Sequence, residues 1–291
     1  MRVKPLAFES LGVRSMSTLV EVDDLNIVID PSISLAPNRF RLPPHPVEIE
    51  TKEALWERIK EHVYQSDVLV LIHYHFDHFN KDEPEIYQGK KVLLKHPKRM
   101  INRGQRNRAA NFLSLLKEED VDIEYADSRS FKFGDAEVQF SAPVPHGSTA
   151  QRGYVIEVCV RAGGVFLHTS DVQGPLLDEQ VKFILQEEPD LLYVDGPSSY
   201  LGYPNMQYEL RDANENLVNI VNAGWIDRLV VDHHLTRDLK YREKIEPVIK
   251  AGEEVGVAVE CAAEFLNLKP NLLEARRREL YKVNGDDLDA G

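Results

Sequence analysis

The chain has 291 residues, with 35 Lys and Arg against 48 Asp and Glu, a formal net charge of −13 and two cysteines. Such an acid excess excludes a protein that coats nucleic acid nonspecifically, and Cys159 and Cys261 alone exclude a disulfide framework or a cysteine zinc cluster. The longest aliphatic run, Val68 to Ile72, is far shorter than the roughly 20 residues that cross a bilayer, and the opening residues lack the apolar stretch of a secretory signal, so the expected setting is the cytoplasm with no membrane partner.

In chain order, Thr18 to Val22 and Leu25 to Asp30 read as a β-hairpin turning at Asp23-Asp24. Leu55, Ile59 and Val63 recur every four residues, which predicts a helix over 51–63. Val68 to Ile72 is short, apolar at every position and rich in valine, as expected of a strand buried on both faces. Val92 to Lys95 reads as a further strand, and Pro97 suits the first turn of a helix running to Lys117. Phe131 to Phe133, Val138 to Phe140, Tyr154 to Val160 and Val165 to His168 alternate apolar and polar residues, with Gly163-Gly164 as a tight hairpin. After Asp178 helices and strands alternate: a helix to Glu187, the strand LLYVDG, a helix within Met206 to Ala223, the strand LVVDHH and a helix from Leu239. No repeat or linker divides the chain. The pattern predicts one α/β domain over 1–291, with a basic helical segment at 95–118 and a frayed acidic C-terminal tail.

Directly after the buried strand, residues 73–78 read His-Tyr-His-Phe-Asp-His. Side chains alternate along an extended segment, so His73 and His75 project to one side and can reach one cation. Asp77 and His78 begin the turn and can face a second, since two-metal hydrolytic sites hold their ions roughly 3.5–4 Å apart. At this chain's His and Asp frequencies, HxHxDH arises by chance in about one sequence in a thousand of this length, so coincidence is a poor account of it. The end of a buried parallel-type strand is also where open α/β sheets place their ligands.

In these residues the chain resembles the metallo-β-lactamase-fold superfamily of metallohydrolases, whose signature is HxHxDH after a strand followed by three separated ligands. Pro-His146-Gly matches the third histidine of the first metal. HTSDVQG offers Asp171 as the carboxylate shared by both metals, with Ser170 where the family usually has glycine. VVDHHLTRD matches the last ligand: aligning HLTRD selects His234, while direct continuation of the strand leaves His233 open. VIDPS resembles an early family segment in which Asp30 is a loop residue or a group that hydrogen-bonds a ligand. The opening ESLGVRSMST and the segment DHHLTRDLKY look like an uncharacterised archaeal branch of the superfamily. The resemblance spans 15–265 and implies a four-layer αββα sandwich, α/β in class (α+β in some schemes). It also implies two divalent ions, zinc preferred, with iron, manganese or nickel as alternatives. Flavodiiron relatives carry glutamate where His75 stands, which argues against their redox chemistry.

Two divalent ions, two carboxylates and a bridging hydroxide leave about +1 at such a centre, and bound water titrates near 7, so a hydroxide is available to attack an ester-type bond. Asp77 is the expected catalytic residue that orients it. Lys95 to Arg108 holds six Lys and Arg and no acid, which makes a phosphodiester or other phosphorylated substrate the favoured reading. Arg103, Arg106 and Arg108 are the candidate substrate-binding residues, and the same segment could take RNA or DNA. A thioester, lactone or carboxylic ester is the alternative, and a non-catalytic metal-binding scaffold the second. Blander expectations attach to the remaining candidates: His168 packed, Asp195 and Asp232 either orienting ligand histidines or making turns, His45 in a loop, His62 on the surface, and Tyr200 and Tyr203 in the cleft or packed in a loop.

Overall fold

Two mixed sheets carry the alternating apolar residues. The first holds β1 (Arg2–Phe8), β2 (Met16–Val22), β3 (Leu25–Ile29), β4 (Val68–Leu71), β5 (Lys91–Leu94) and β6 (Asp122–Tyr125) in sequential order, antiparallel to β3 and parallel from there. The second begins with the hairpin β7 (Ser130–Phe133) and β8 (Ala136–Phe140); a two-stranded ribbon, β9 (Val144–Pro145) and β10 (Tyr154–Val155), follows in the chain. It is completed by β11 (Val158–Arg161), β12 (Val165–His168), β13 (Leu191–Asp195), β14 (Arg228–Asp232) and β15 (Ala258–Glu260), in the order β15-β14-β13-β12-β11-β8-β7 and parallel from β12 to β15. The computed structural model describes residues 1–283; residues 284–291 of the expected frayed tail lie outside the described residues.

Alternation along the central strands builds the layers. Val68 and Val70 of β4 join the cluster between the sheets with Ile27, Phe140, Val158 and Phe166, while Leu69 and Leu71 face the other way into a cluster with Ile59, Val63 and Phe112. Those last three belong to α1 (Pro46–Gln65) and α2 (Arg103–Leu115), which cover the outer face of the first sheet. On the second sheet α3 (Asp178–Glu187), α4 (Met206–Val221), the short α5 (Tyr241–Lys244) and α6 (Glu246–Val255) contribute Phe183, Leu217, Ile220, Tyr241 and Val248. Two short helices, α7 (Ala262–Phe265) and α8 (Arg277–Val283), close the described chain. The arrangement is the expected α/β class, four layers of helix, sheet, sheet and helix. Among the described residues no helix is long and apolar enough to cross a membrane.

Several element boundaries differ from expectation for identifiable reasons. Helix α1 starts five residues before Thr51 because His45 is a buried N-cap rather than a loop residue, with the Glu48 carboxylate accepting from the His45 N–H at 2.8 Å and Pro46 in the first turn. Pro97 does not open a helix: the buried Lys95 ammonium pairs with Asp127 at 2.8 Å and donates to the Arg99 carbonyl, which holds 95–99 in a bend. The helix begins at Arg103, capped by Asn102 accepting from the Gln105 N–H. Tyr154 to Val160 is two strands rather than one, because the Ile156 N–H turns to the Ile72 carbonyl of the other sheet.

Glu157, in that break, is fully buried and neither carboxylate oxygen has a hydrogen-bond partner among the described residues. Burial holds its pKa well above the usual carboxylate value of 4.5. A raised folded-state pKa means the stabilising, protonated form is fully present below the ordinary value and lost as pH rises through the raised one. Glu157→Gln removes that loss. Thermal melts from pH 5 to 8.5 will show the variant gaining on the wild type as pH rises, by a few degrees at the alkaline end, as expected for about 1–2 kcal/mol. A constant offset across that range would contradict the assignment.

Candidate metal centre

The loops after β4, β9, β12 and β14 meet at one edge of the sandwich and deliver His73, His75, Asp77, His78, His146, Asp171, His233 and His234 to one place. His73, His75, His146 and Asp171 can offer ligand atoms that all lie within 4.8 Å of one another, and so can Asp77, His78 and His233. Asp171 stands between the two sets. Its Oδ2 lies 3.1 Å from His146 Nε2 and 3.5 Å from His73 Nε2, while its Oδ1 lies 3.0 Å from His78 Nε2 and 3.5 Å from His233 Nε2.

These are close approaches without hydrogen-bond geometry. The buried Nε2 atoms of His73, His78 and His146, and Asp171 Oδ1, have no hydrogen-bond partner among the described residues. Leaving one buried polar atom unpaired costs about 1–3 kcal/mol, so a convergent group of them calls for a cation. The donors fit one. His78 donates Nδ1–H to Asp30 Oδ2 at 2.6 Å, which orients the ring and sets Nε2 toward Asp171 Oδ1. Asp30, which also accepts from the Ile72 N–H, thus orients His78. His73 Nδ1 is held in the same way by Ser170 Oγ at 3.1 Å. Ser170 has φ +57°, in the left-handed region, which explains a usual glycine there and what serine offers instead: a strained backbone, but a hydroxyl that positions His73.

Electrostatics set four of the histidines apart from His78. Burial, helped by neighbouring His78 and His146 respectively, holds His73 well below the ordinary 6.5 and brings His75 to about 3; His233 and His234 are lowered by burial and Arg237. All four are neutral imidazoles, the form that binds metal. His78 moves the opposite way: burial would lower it, but Asp171, Asp30 and Asp77 outweigh burial and raise it well above 6.5. Burial would raise Asp77, yet His78 and His233 bring it down to about 2.

The adjacent pair at the end of β14 divides. His233 has φ +59°, so the chain turns and the two rings stand 87° apart. His233 Nε2 faces Asp77 Oδ2 at 3.7 Å and accepts from Arg237 at 3.0 Å. His234 has both nitrogens engaged, Nδ1 on Asp195 at 2.9 Å and Nε2 beside Gln173 Nε2 at 3.2 Å. Asp171, His233 and His234 can themselves offer ligand atoms within 4.8 Å of one another, so either histidine can serve as the last ligand. Of the two aspartates, Asp195 orients His234, whereas Asp232 accepts from Ser10 N, His233 N, Thr236 Oγ1 and Ala262 N and makes a turn. His168 is packed, between the Met16 carbonyl and the Ser170 N–H. His62 is half-buried.

Above the histidines opens a cleft of about 440 Å³ lined by His75, Asp77, His146 and Asp171. Arg108 lines it; Arg103 and Arg106 lie exposed on α2 and do not. Three further arginines, Arg14, Arg152 and Arg237, and Tyr200 also line it. Tyr203 does not: it bonds Glu209.

No family model matches the chain. It is 47% identical over 286 residues to a UPF0282 protein of Korarchaeum cryptofilum, covering 97% of this chain and 95% of that one. It is 44% identical over 287 residues to one of Metallosphaera sedula, covering 97% and 93%. The chain belongs to the UPF0282 family. Among solved structures, a possible metal-dependent hydrolase from Veillonella parvula superposes with a TM-score of 0.54 at 13% identity, over 86% of this chain and 94% of the other. The isothiocyanate hydrolase of Delia radicum gut bacteria gives 0.52 at 17%, over 85% and 94%. At such identities the likeness concerns the fold, which places this UPF0282 member among the metallo-β-lactamase-fold proteins.

Proposed function

We propose that the protein is a metal-dependent hydrolase that cleaves an ester-type bond of a phosphorylated substrate, with a phosphodiester favoured. The observation that carries this is the division of Asp171: one oxygen faces His73 and His146, the other His78 and His233. In this reading His73, His75 and His146 would hold one divalent ion and Asp77, His78 and His233 a second, with Asp171 in reach of both; zinc is the preferred ion. Ions bound there would supply a hydroxide at neutral pH and polarise the attacked oxygen.

The chain's own residues do the rest. Asp77, ionised and facing the cleft, would orient the nucleophile. Arg14 is compensated by Glu274 at 2.6 and 2.7 Å and Arg237 by Glu9 at 3.0 Å. Arg108 and Arg152 pair with no acid among the described residues, so their charge is available to an anion. Because Arg103 and Arg106 stand off the cleft, a small phosphorylated substrate is favoured over RNA or DNA.

The test is elemental analysis together with activity on bis-(p-nitrophenyl) phosphate, a thioester and a lactone. Phosphodiester turnover with metal bound supports the reading; preference for a thioester or lactone overturns the substrate class, and turnover of none with metal bound overturns the hydrolase. Arg108→Ala should raise KM for the phosphodiester about tenfold or more, the usual cost of a lost charge-assisted contact. Neutralising Arg103 and Arg106 together should leave it within about twofold. The opposite ranking in steady-state kinetics would return the substrate to the outer face of α2.

A further inference from the structure

We propose that a second cavity beside the metal cleft seats a planar heteroaromatic group, which makes the substrate a nucleoside-type phosphate ester; this rests on the phosphate reading above. The cavity, about 470 Å³, shares Ser34, Leu35 and Phe76 with the cleft, so one ligand can span both. Phe76 is the residue before Asp77. Its neighbours Tyr74 and Phe79 are buried, but Phe76 itself is 46% exposed. Its backbone is held by Ser32 Oγ, which donates to the Phe76 carbonyl at 2.7 Å, and the Phe79 ring lies tilted 5.5 Å away. Cations flank the Phe76 ring, Arg108 at 5.8 Å and Lys81 at 5.6 Å from its centroid. An exposed ring near two cations at the mouth of an anion site is a stacking platform for a base attached to a phosphate.

The remaining lining selects a heteroaromatic over an acyl chain. Trp56 contributes an indole whose N–H is already committed to Glu83 at 2.5 Å. Lys52 stands on the same wall, and Asn80, with its Oδ1 taken by the Asp82 and Glu83 N–H groups, keeps its amide N–H groups to donate. A hydrocarbon chain would desolvate these groups without pairing them, whereas the edge of a base offers acceptors.

Calorimetric titration of the metal-loaded protein with adenosine monophosphate and with ribose 5-phosphate tests this. The nucleotide should bind about tenfold more tightly, as one stacked base provides. Phe76→Ala should abolish that advantage while leaving ribose 5-phosphate affinity unchanged, which also reports an intact fold, and Phe76→Trp should keep it. Equal affinities in the wild type, or an advantage that survives Phe76→Ala, would overturn the inference and leave the phosphate reading standing. Binding of neither ligand would overturn both.

Discussion

Replacing Asp171 by asparagine will lower kcat/KM on the order of 10³-fold and strip metal from the protein, the largest loss expected from any single substitution. The residue is 1% exposed and surrounded by His73, His78, His146 and His233. The amide keeps the shape, so the fold survives, but one end of the group becomes a donor facing imidazole lone pairs and the negative charge disappears. The carboxylate that those neighbours hold well below the ordinary 3.8 faces histidines of both ligand sets. Circular dichroism should be unchanged while elemental analysis falls to below about one ion per chain. Full metal content in the variant would show that Asp171 is not the shared ligand.

Asp77→Asn has the second largest expected effect, a fall in kcat of about 10²–10³-fold with KM little changed. Its carboxylate is 15% exposed, where that of Asp171 is 2%, so it faces the open cleft as well as His78 at 3.9 Å and His233 at 3.7 Å. Because its pKa is about 2, the wild-type carboxylate is ionised throughout the neutral range, and the loss should be the same from pH 6 to 9. The His73, His75 and His146 set keeps all its donors and should keep its ion. A rate like that of the wild type would remove Asp77 from the mechanism.

How much was legible in the sequence follows from how each residue reaches the site. His73, His75, Asp77 and His78 lie in one segment after one strand, and the period of two along that segment was enough to read them. His146 and Asp171 carried short local patterns. His233 and His234 could not be separated in this way, because a positive φ at His233 turns the chain and breaks the alternation on which the reading depends. HLTRD selects His234, which Asp195 and Gln173 engage, and continuation of the strand leaves His233, which Arg237 engages. Arg14 and Arg152 gave no local signal: they come from distant segments and meet the cleft only through tertiary packing. Arg237 was visible within HLTRD but had no reason to be singled out until its contact with His233 was seen. Strand β1 was missed because Pro5 and two basic residues interrupt its pattern; it is an edge strand whose register shifts between Pro5 and Ala7, the position where a sheet tolerates proline.

The central claim is that two ligand sets share Asp171, with His233 rather than His234 completing the second. Metal content per chain, measured after saturation with zinc and removal of the excess, tests it most directly. About two ions are expected in the wild type and in His234→Ala, and about one in His233→Ala. A single ion in the wild type, or loss of the second ion from His234→Ala with His233→Ala unaffected, would contradict it.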